Sequence, residues 1–580
     1  MKLLRIKLPD NLIEPFRSLR QGFEISFYPN LNNKNIEPIG FAGLNGSGKS
    51  NLLELISEVF YYLDSMHLEF PTAAVTDEKD FGFEIDYALP FSSDNPFIDY
   101  DDPIGFKLEE SYFIVRASKA VKSRAAYQIT SIGQYELQRQ FESTRNVKDK
   151  KIQSIQGIWK SINSGDRNIA ALLPKKIFAY TSGQNEQLSN CYLKMQFHYF
   201  NDYKNKIKAG SKFYFDSSRL FFCDNNASSS IFIANYLLAN QNALKQLNKI
   251  IEVKELHSFR ITIRYADLSG SEIKFNQDLE RKIEALKSCA TTLIEKGVGA
   301  KKILTLDYLV TGATKLAFQR QLTDSPFELY KTFYELEMQN FYTVPDEVLD
   351  MATDGPSWLV LSDELPKQNP NDLIFRIEKV FVKKNGIDKI IKYKGLSDGE
   401  HQFIQVVGMI LMMEESGCLF LLDEPDTHYN PLWRSQLVNT INNVVKYKTT
   451  SKKRLLRLQE IVITTHSPFV ISDLKQKNVY IFKKENNIVK FTQCHFQTYG
   501  ASSSIILDEI FGKSDSISEM ARQELKTLVG KVKSLSQLSE VASILNNQFG
   551  ESVDKFEYYN QLRTIKESLE RKTKSKIKKN

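Results

Sequence analysis

Residues 41–56 read FAGLNGSGKSNLLELI, and this stretch decides the fold. Apolar residues empty into a run of glycines, followed by a lysine, a serine and an amphipathic segment. Gly43-Leu44-Asn45-Gly46-Ser47-Gly48-Lys49-Ser50 fits the pattern G-x-x-x-x-G-K-[ST]. Glycines let successive backbone N–H groups turn inward around phosphates, and the positive end of the following helix points at the same place. Gly43, Asn45, Gly46, Ser47 and Gly48 are therefore expected to cradle a triphosphate. Lys49 is expected to reach its β- and γ-phosphates, and Ser50 to ligate Mg²⁺. The context agrees: PIGFAG reads as a short buried strand, and 49–64 places Leu52, Leu53, Ile56, Val59, Phe60 and Leu63 at helical spacing. Alone, the motif implies only a nucleotide; further motifs along the chain narrow it to ATP.

Outward from this loop, KLLRIKL and GFEISFY alternate as strands, and strands are expected near 106–118 and at KKIFAY. Between 200 and 370 the spacing predicts helices near 228–253, 278–297 and 314–341, with strands near 258–265 and 375–384. No sustained heptad appears there, so a long coiled-coil arm is not expected. Past 395 the order is helix, buried strand, helix, buried strand. A hairpin follows at 478–492 with Asn486-Asn487 at its turn, and the last 80 residues read as helical.

Three further motifs carry chemistry. CLFLLDEPDTHYNP (418–431) has the form of a buried strand delivering two carboxylates at its tip. Asp423 is expected to hold Mg²⁺ and Glu424 to orient and deprotonate the attacking water; capping of the next helix is the plainer reading of such a pair. Before it, in YKGLSDGEHQFIQVVGMILMM (393–413), Leu396-Ser397-Asp398-Gly399-Glu400 resembles the LSGGQ signature of the ABC ATPases. After it, EIVITTHSPFVIS brings a strand to His466.

The resemblance to ABC ATPases implies an α/β head of two lobes. In that family the signature closes on the γ-phosphate bound by a second copy, so Ser397 and Gly399 would contact the partner's nucleotide, and His466 would hydrogen-bond the γ-phosphate. The resemblance also places a Q-loop at IFAYTSGQNEQ, where Gln184, with Gln187 as rival, would contact Mg²⁺ and the lytic water; a polar turn is the other reading. FRSL (16–19) resembles the opening of SMC-like and OLD-like ATPases, in which Arg17 would approach phosphate; an ordinary surface charge is the other reading. Asp426 to Asn430 would form a loop joining the two sites, with His428 and Asn430 as candidates. The signature departs from the family in Asp398 and Glu400. A carboxylate facing a γ-phosphate costs about 1 kcal/mol or more, so Asp398 is expected to point away.

Between Gly43 and Leu396 lie 353 residues of separation, far more than in transporter subunits. The expected plan is therefore ATPase lobe I (1–200), a mainly helical insertion (201–374), lobe II (375–500) and a C-terminal helical segment with a basic tail (501–580). The motif wording is similar to the restriction-system-associated ATPases of bacterial antiphage loci, and within them to the PtuA ATPase of Septu systems and Septu-like retrons. That resemblance implies a homodimer or higher oligomer through the ATP sites. It also implies an HNH endonuclease in trans and, in retrons, a reverse transcriptase with its RNA–DNA product. Two alternatives stand beside it: a nucleotide-bound scaffold that holds the nuclease inactive, and an SMC-like DNA repair ATPase.

Composition excludes other classes. The five cysteines are scattered and never form a CxxC pair, which argues against a zinc site or a disulfide framework and fits a cytoplasmic chain. The N-terminus is interrupted by charge, so no signal peptide is expected. The longest apolar run, FIQVVGMILMM, is short of the about 20 residues that span a bilayer, so no membrane contact is expected. Of the net charge of +7, six basic residues fall in the last ten, RKTKSKIKKN. Only that tail is a candidate for DNA or RNA contact; a solvated disordered end is the plainer reading.

Overall fold

The strand Ile39–Gly43 is apolar at nearly every position and buried throughout. It lies inside a seven-stranded sheet in the order Ile488–Gln493, Val479–Glu485, Ile39–Gly43, Gln459–Thr465, Cys418–Asp423, Ile177–Thr181, Leu220–Phe222. All pairings are parallel except the terminal hairpin, whose turn residues Asn486 and Asn487 have φ of 50° and 61°. Both angles suit the tight turns that match strand twist. Parallel sheets are covered on both faces, which is why these strands read as unbroken apolar runs. The computed structural model describes residues 1–12, 14–27, 37–66, 81–90, 95–98, 112–143, 159–183, 186–210, 218–224, 227–354, 361–447, 459–513 and 517–577.

A second, six-stranded antiparallel sheet runs in the order Glu24–Ser26, Lys2–Lys7, Phe83–Pro90, Tyr112–Lys119, Ala126–Thr130, Lys160–Ile162. The helix Lys49–Ser65 shares one core with both sheets: Leu3 and Ile85 from one, Phe41 and Leu419 from the other, with Leu52, Ile56 and Phe60 of the helix. The sequence predicts a helix with one apolar face. Instead Leu55, Tyr61 and Tyr62 are buried as well, because the helix is enclosed on all sides.

Residues 253–392 contribute a third sheet, antiparallel, in the order Thr292–Lys296, Ile303–Leu309, Val253–Arg264, Phe375–Lys384, Ile391–Lys392. This corrects one expectation. The helix predicted over 278–297 ends at Cys289, and Thr292–Lys296 is an exposed edge strand. Leu293 and Ile294 imitate a helical apolar pair while they pair across to Leu306 and Thr305. Helices of at most 13 residues pack around this sheet between 227 and 354, so no coiled-coil arm is present there. The helix Ala227–Leu238 lies against Asp398–Met412: Asn235 Nδ2 donates to the Gly408 carbonyl at 3.0 Å. A Cβ on Gly408 would sit 2.8 Å from Ile231 Cγ2, so the glycine permits the close approach. The insertion is thereby fastened to the helix that carries the signature.

The chain divides into Met1–Tyr499 and Gly500–Asn580. In the second unit, Glu519–Gly530, Leu535–Gln548 and Val553–Ile577 enclose a small core of Leu525, Val529, Val541, Leu545 and Leu562. The basic end, for which the sequence favours disorder, is helical as far as Ile577. Among the described residues no helix is long and apolar enough to cross a membrane.

Candidate nucleotide-binding and active site

The carboxyl ends of adjacent parallel strands are where open α/β sheets bind ligands, and four motifs end there side by side. Ile39–Gly43 delivers the glycine loop, Gln459–Thr465 delivers His466, Cys418–Asp423 delivers Asp423 and Glu424, and Ile177–Thr181 leads to Ser182. In the loop Gly43, Gly46 and Gly48 have φ of 148°, 73° and 96°, angles that side chains avoid. At Gly43 a Cβ would also lie 2.2 Å from the Phe482 carbonyl oxygen. Ser47 Oγ, within the same loop, is buried with no hydrogen-bond partner, an orphaned donor.

Lys49 is buried and folds back over the loop, donating to the carbonyls of Gly43 at 3.0 Å and Leu44 at 3.1 Å. Burial pushes its ammonium pKa down to about 8, partly opposed by Glu424 and Asp423. Ser50 Oγ donates to Asp423 Oδ1 at 2.9 Å, so the serine and carboxylate expected to share Mg²⁺ already touch. Thr464 Oγ1 donates to the same oxygen at 2.6 Å. The orphaned serine, the positive-φ glycines and this hard oxygen pair fit a magnesium nucleotide.

Glu424 adopts φ of 49°, the left-handed region for a residue with a Cβ. Its N–H donates to Thr464 Oγ1 at 2.9 Å, which helps hold that strained backbone. Its Oε1 lies 2.9 Å from His466 Nε2, and that hydrogen bond holds the carboxyl below its ordinary pKa against the effect of burial. His466 Nε2 is also 3.1 Å from Lys49 Nζ.

The signature lies elsewhere on the surface. Ser397 caps the helix Asp398–Met412 in a reciprocal box with Glu400: the Ser397 N–H donates to Glu400 Oε2 at 2.8 Å, and Glu400 N–H donates to Ser397 Oγ at 3.4 Å. Lys384 Nζ donates to Glu400 Oε1. Burial alone would push the Glu400 carboxyl up, but the hydrogen bonds from Lys384 and Ser397 outweigh it, and the pKa lies below the ordinary value. The acid in the glutamine position thus faces inward and is paired, while Asp398 is exposed. Gly399 is buried, with room for no Cβ: it would meet the His428 carbonyl oxygen at 2.9 Å. Ser397, Gly399, His428, Asn430 and Trp433 line a depression of about 630 Å³ to which the glycine loop contributes nothing.

Not every expected residue joins the cluster. Gln184 lies outside the described residues, and Gln187 is exposed. Arg17 has φ of 55° and its guanidinium donates to Glu54 at 2.8 Å and 2.9 Å. Its neighbour Ser18 accepts from Asn51 Nδ2 at 2.5 Å, so the 16–19 segment does border the loop helix. Asn45 occupies the loop's turn, where its side chain is exposed. Thr464, which touches both acids, lies inside EIVITTHSPFVIS without being singled out there; its sequence signal is that it stands two residues before His466 on an extended chain and so faces the same way. Gln402 is a second residue the motifs do not single out. Its Oε1 accepts from the His428 N–H at 2.9 Å and its Nε2 donates to the Glu424 carbonyl, tying the signature helix to the acidic loop. Arg434 donates to the carbonyls of Asp426 and Thr427, and Ser182 Oγ meets Thr427 Oγ1 at 2.9 Å.

Residues 336–472 match the family described as "AAA domain, putative AbiEii toxin, Type IV TA system". The match takes in the signature, the acidic pair and His466, and leaves out the glycine loop. Two solved structures resemble the chain. One is the Smc head bound to the C-winged helix domain of ScpA, at 12% identity and TM-score 0.30, covering 85% of this chain and 98% of that one. The other is the Smc head domain with a coiled coil and joint from Pyrococcus yayanosii, at 12% identity and TM-score 0.29, covering 85% and 97%. Among curated proteins none matches.

The chemistry available follows from the side chains. Bound magnesium nucleotide would supply the phosphoanhydride to be cleaved. Ser50 and Asp423 would hold the cation, Lys49 and the loop amides would neutralise phosphate charge, and Glu424 would take a proton from water. In the present arrangement Glu424 is engaged by His466 and Lys49 is turned to the loop carbonyls, so both must change partners before either can act.

Proposed function

We propose that the protein hydrolyses ATP at two composite sites formed between two copies of the chain, with the signature of one facing the glycine loop of the other. The supporting observation is a separation: the depression built by Ser397, Gly399, His428 and Asn430 includes none of Lys49, Ser50, Asp423 and Glu424. A signature exposed at its own depression is available to a second molecule. Gln402 then links each signature helix to the acidic loop of its own head, a loop held further by Arg434 and by the Ser182–Thr427 contact.

The biological role is carried by the motif wording alone. FRSL, GLNGSGKSNLLE, YTSGQNEQLS, LSDGEHQF and LLDEPDTHYNP with TTHSPF support an ATPase of bacterial antiviral defence that regulates a separate HNH-type nuclease, with a reverse transcriptase and its RNA–DNA product in a retron setting. Two measurements test the reading. Glu424→Gln should accumulate a nucleotide-bound dimer in solution; a variant that stays monomeric at saturating ATP would sink the composite-site mechanism. Protection of cells against phage by the intact locus should vanish with Lys49→Ala, and unchanged protection would remove the ATPase from the defence role.

A further inference from the structure

The hairpin that precedes the signature is unusual in charge. Residues 379–394, KVFVKKNGIDKIIKYK, hold six lysines against one acid, Asp388. With this segment and the last ten residues set aside, the rest of the chain has 65 basic and 69 acidic residues. The positive excess of the whole protein therefore sits in two short segments, and only the terminal one is conspicuous in the sequence.

The fold sorts the six lysines into two kinds. Phe375–Lys384 and Ile391–Lys392 pair antiparallel, with Phe381 opposite Lys392 and Val382 opposite Ile391, and the chain turns through Gly386 at φ of 74°. Lys383 is paired with Glu255 at 2.7 Å, and Lys384 is paired with Glu400. Lys379, Lys389, Lys392 and Lys394 are exposed, and none has a carboxylate within 4 Å among the described residues; Lys379 alone of the four feels a nearby acid, Asp307. Elsewhere on the same sheet Arg260 pairs with Asp307, Arg264 with Asp372 and Lys302 with Glu295. Lys254 and Lys296 of the same sheet are also exposed and have no ion pair among the described residues, so what sets the hairpin apart is the clustering of such lysines within sixteen residues.

We infer that this hairpin is a nucleic-acid surface, gripping the phosphodiester backbone through Lys379, Lys389, Lys392 and Lys394 without reading sequence. Four like charges on one hairpin repel one another, and a partner with closely repeated negative charge relieves that repulsion. Duplex DNA carries a charge every about 1.7 Å of its axis and releases condensed counterions when lysines replace them. Lysine acts here as a point charge, suited to backbone contact. The tip exposes only Ile387 and Ile390 as large apolar residues, too little area for insertion into a lipid interface. The chain passes directly from Lys392 through Tyr393–Gly395 to Ser397, so the surface adjoins the signature.

The test uses the full chain without nucleotide, so its outcome is independent of the composite-site reading. Binding of a fluorescent DNA duplex of random sequence is measured against salt from about 50 to 200 mM. The triple variant Lys389→Ala/Lys392→Ala/Lys394→Ala should bind at least about tenfold more weakly, and its log–log salt slope should shrink by about 0.9 for each phosphate no longer neutralised. The three side chains are exposed, and an unchanged thermal midpoint would show that the fold is intact. Truncation after Glu570 separates the rival basic segment. Equal affinity and slope for parent and triple variant would overturn the proposal. So would loss of binding on truncation alone, or a hairpin-dependent preference for phosphatidylglycerol vesicles over the duplex.

Discussion

Glu424 Oε1 and His466 Nε2 lie 2.9 Å apart at the ends of neighbouring strands. This pairing occupies the carboxylate that is placed to polarise water. The same imidazole nitrogen approaches Lys49, and one nitrogen can donate or accept but cannot do both at once. His466 therefore stands between the base and the lysine and can satisfy only one of them at a time.

Replacing Glu424 by Gln keeps the shape and removes the base. Steady-state ATP hydrolysis should fall by about 10²- to 10⁴-fold while nucleotide affinity stays within a few-fold of the parent. Parent-like turnover in the variant would show that another group activates the water.

Lys49 makes nucleotide affinity depend on pH. Its pKa of about 8 in the free protein lies below the ordinary 10.5, whereas a phosphate partner holds the ammonium charged. Binding must then take up a proton above pH 8, and affinity should weaken by up to about tenfold per pH unit there. The sign for stability is opposite. Between about 8 and 10.5 the unfolded chain holds the proton and the folded chain does not, so folded stability rises with pH across that window and Lys49 costs stability below it. Lys49→Met should raise the nucleotide-free melting temperature near pH 7, with the difference narrowing toward pH 10. A dissociation constant that is flat from pH 7 to 9.5 contradicts this account.

Two separately inactive variants should complement each other. Mixed dimers of Ser397→Ala and Lys49→Ala contain one site with both residues intact and one with neither, so random mixing should restore about a quarter of parental hydrolysis. Absence of any recovery would place Ser397 and Lys49 in the same site of a single chain.

The insertion should report on the signature helix. Asn235→Ala removes hydrogen bonds to the Ile231 and Gly408 carbonyls, at a cost of about 1–2 kcal/mol. Gly408→Ala must displace Ile231 or Asn235 and should cost about 1–3 kcal/mol. Both should lower the thermal midpoint of the full chain. An unchanged midpoint in both would mean that the helix Ala227–Leu238 is not fastened there.

The local motifs are legible in the sequence because each needs few residues in fixed order: glycines before Lys49, apolar residues before Asp423, a strand before His466. Period and composition carry that information along the chain. Ser397 and Glu400 likewise fit a capping box at i and i+3. What no local pattern contains is who meets whom across hundreds of residues. Ser50 and Asp423 touch although 373 positions separate them, because a parallel sheet sets the strands in an order unrelated to their order in the chain. The same packing made a strand of Thr292–Lys296, enclosed the helix Lys49–Ser65 on all sides, and turned Glu400 inward onto Lys384. It also left Lys389, Lys392 and Lys394 of a neighbouring hairpin without an acidic partner among the described residues, since pairing depends on which acids the sheet brings near and not on how many the chain contains.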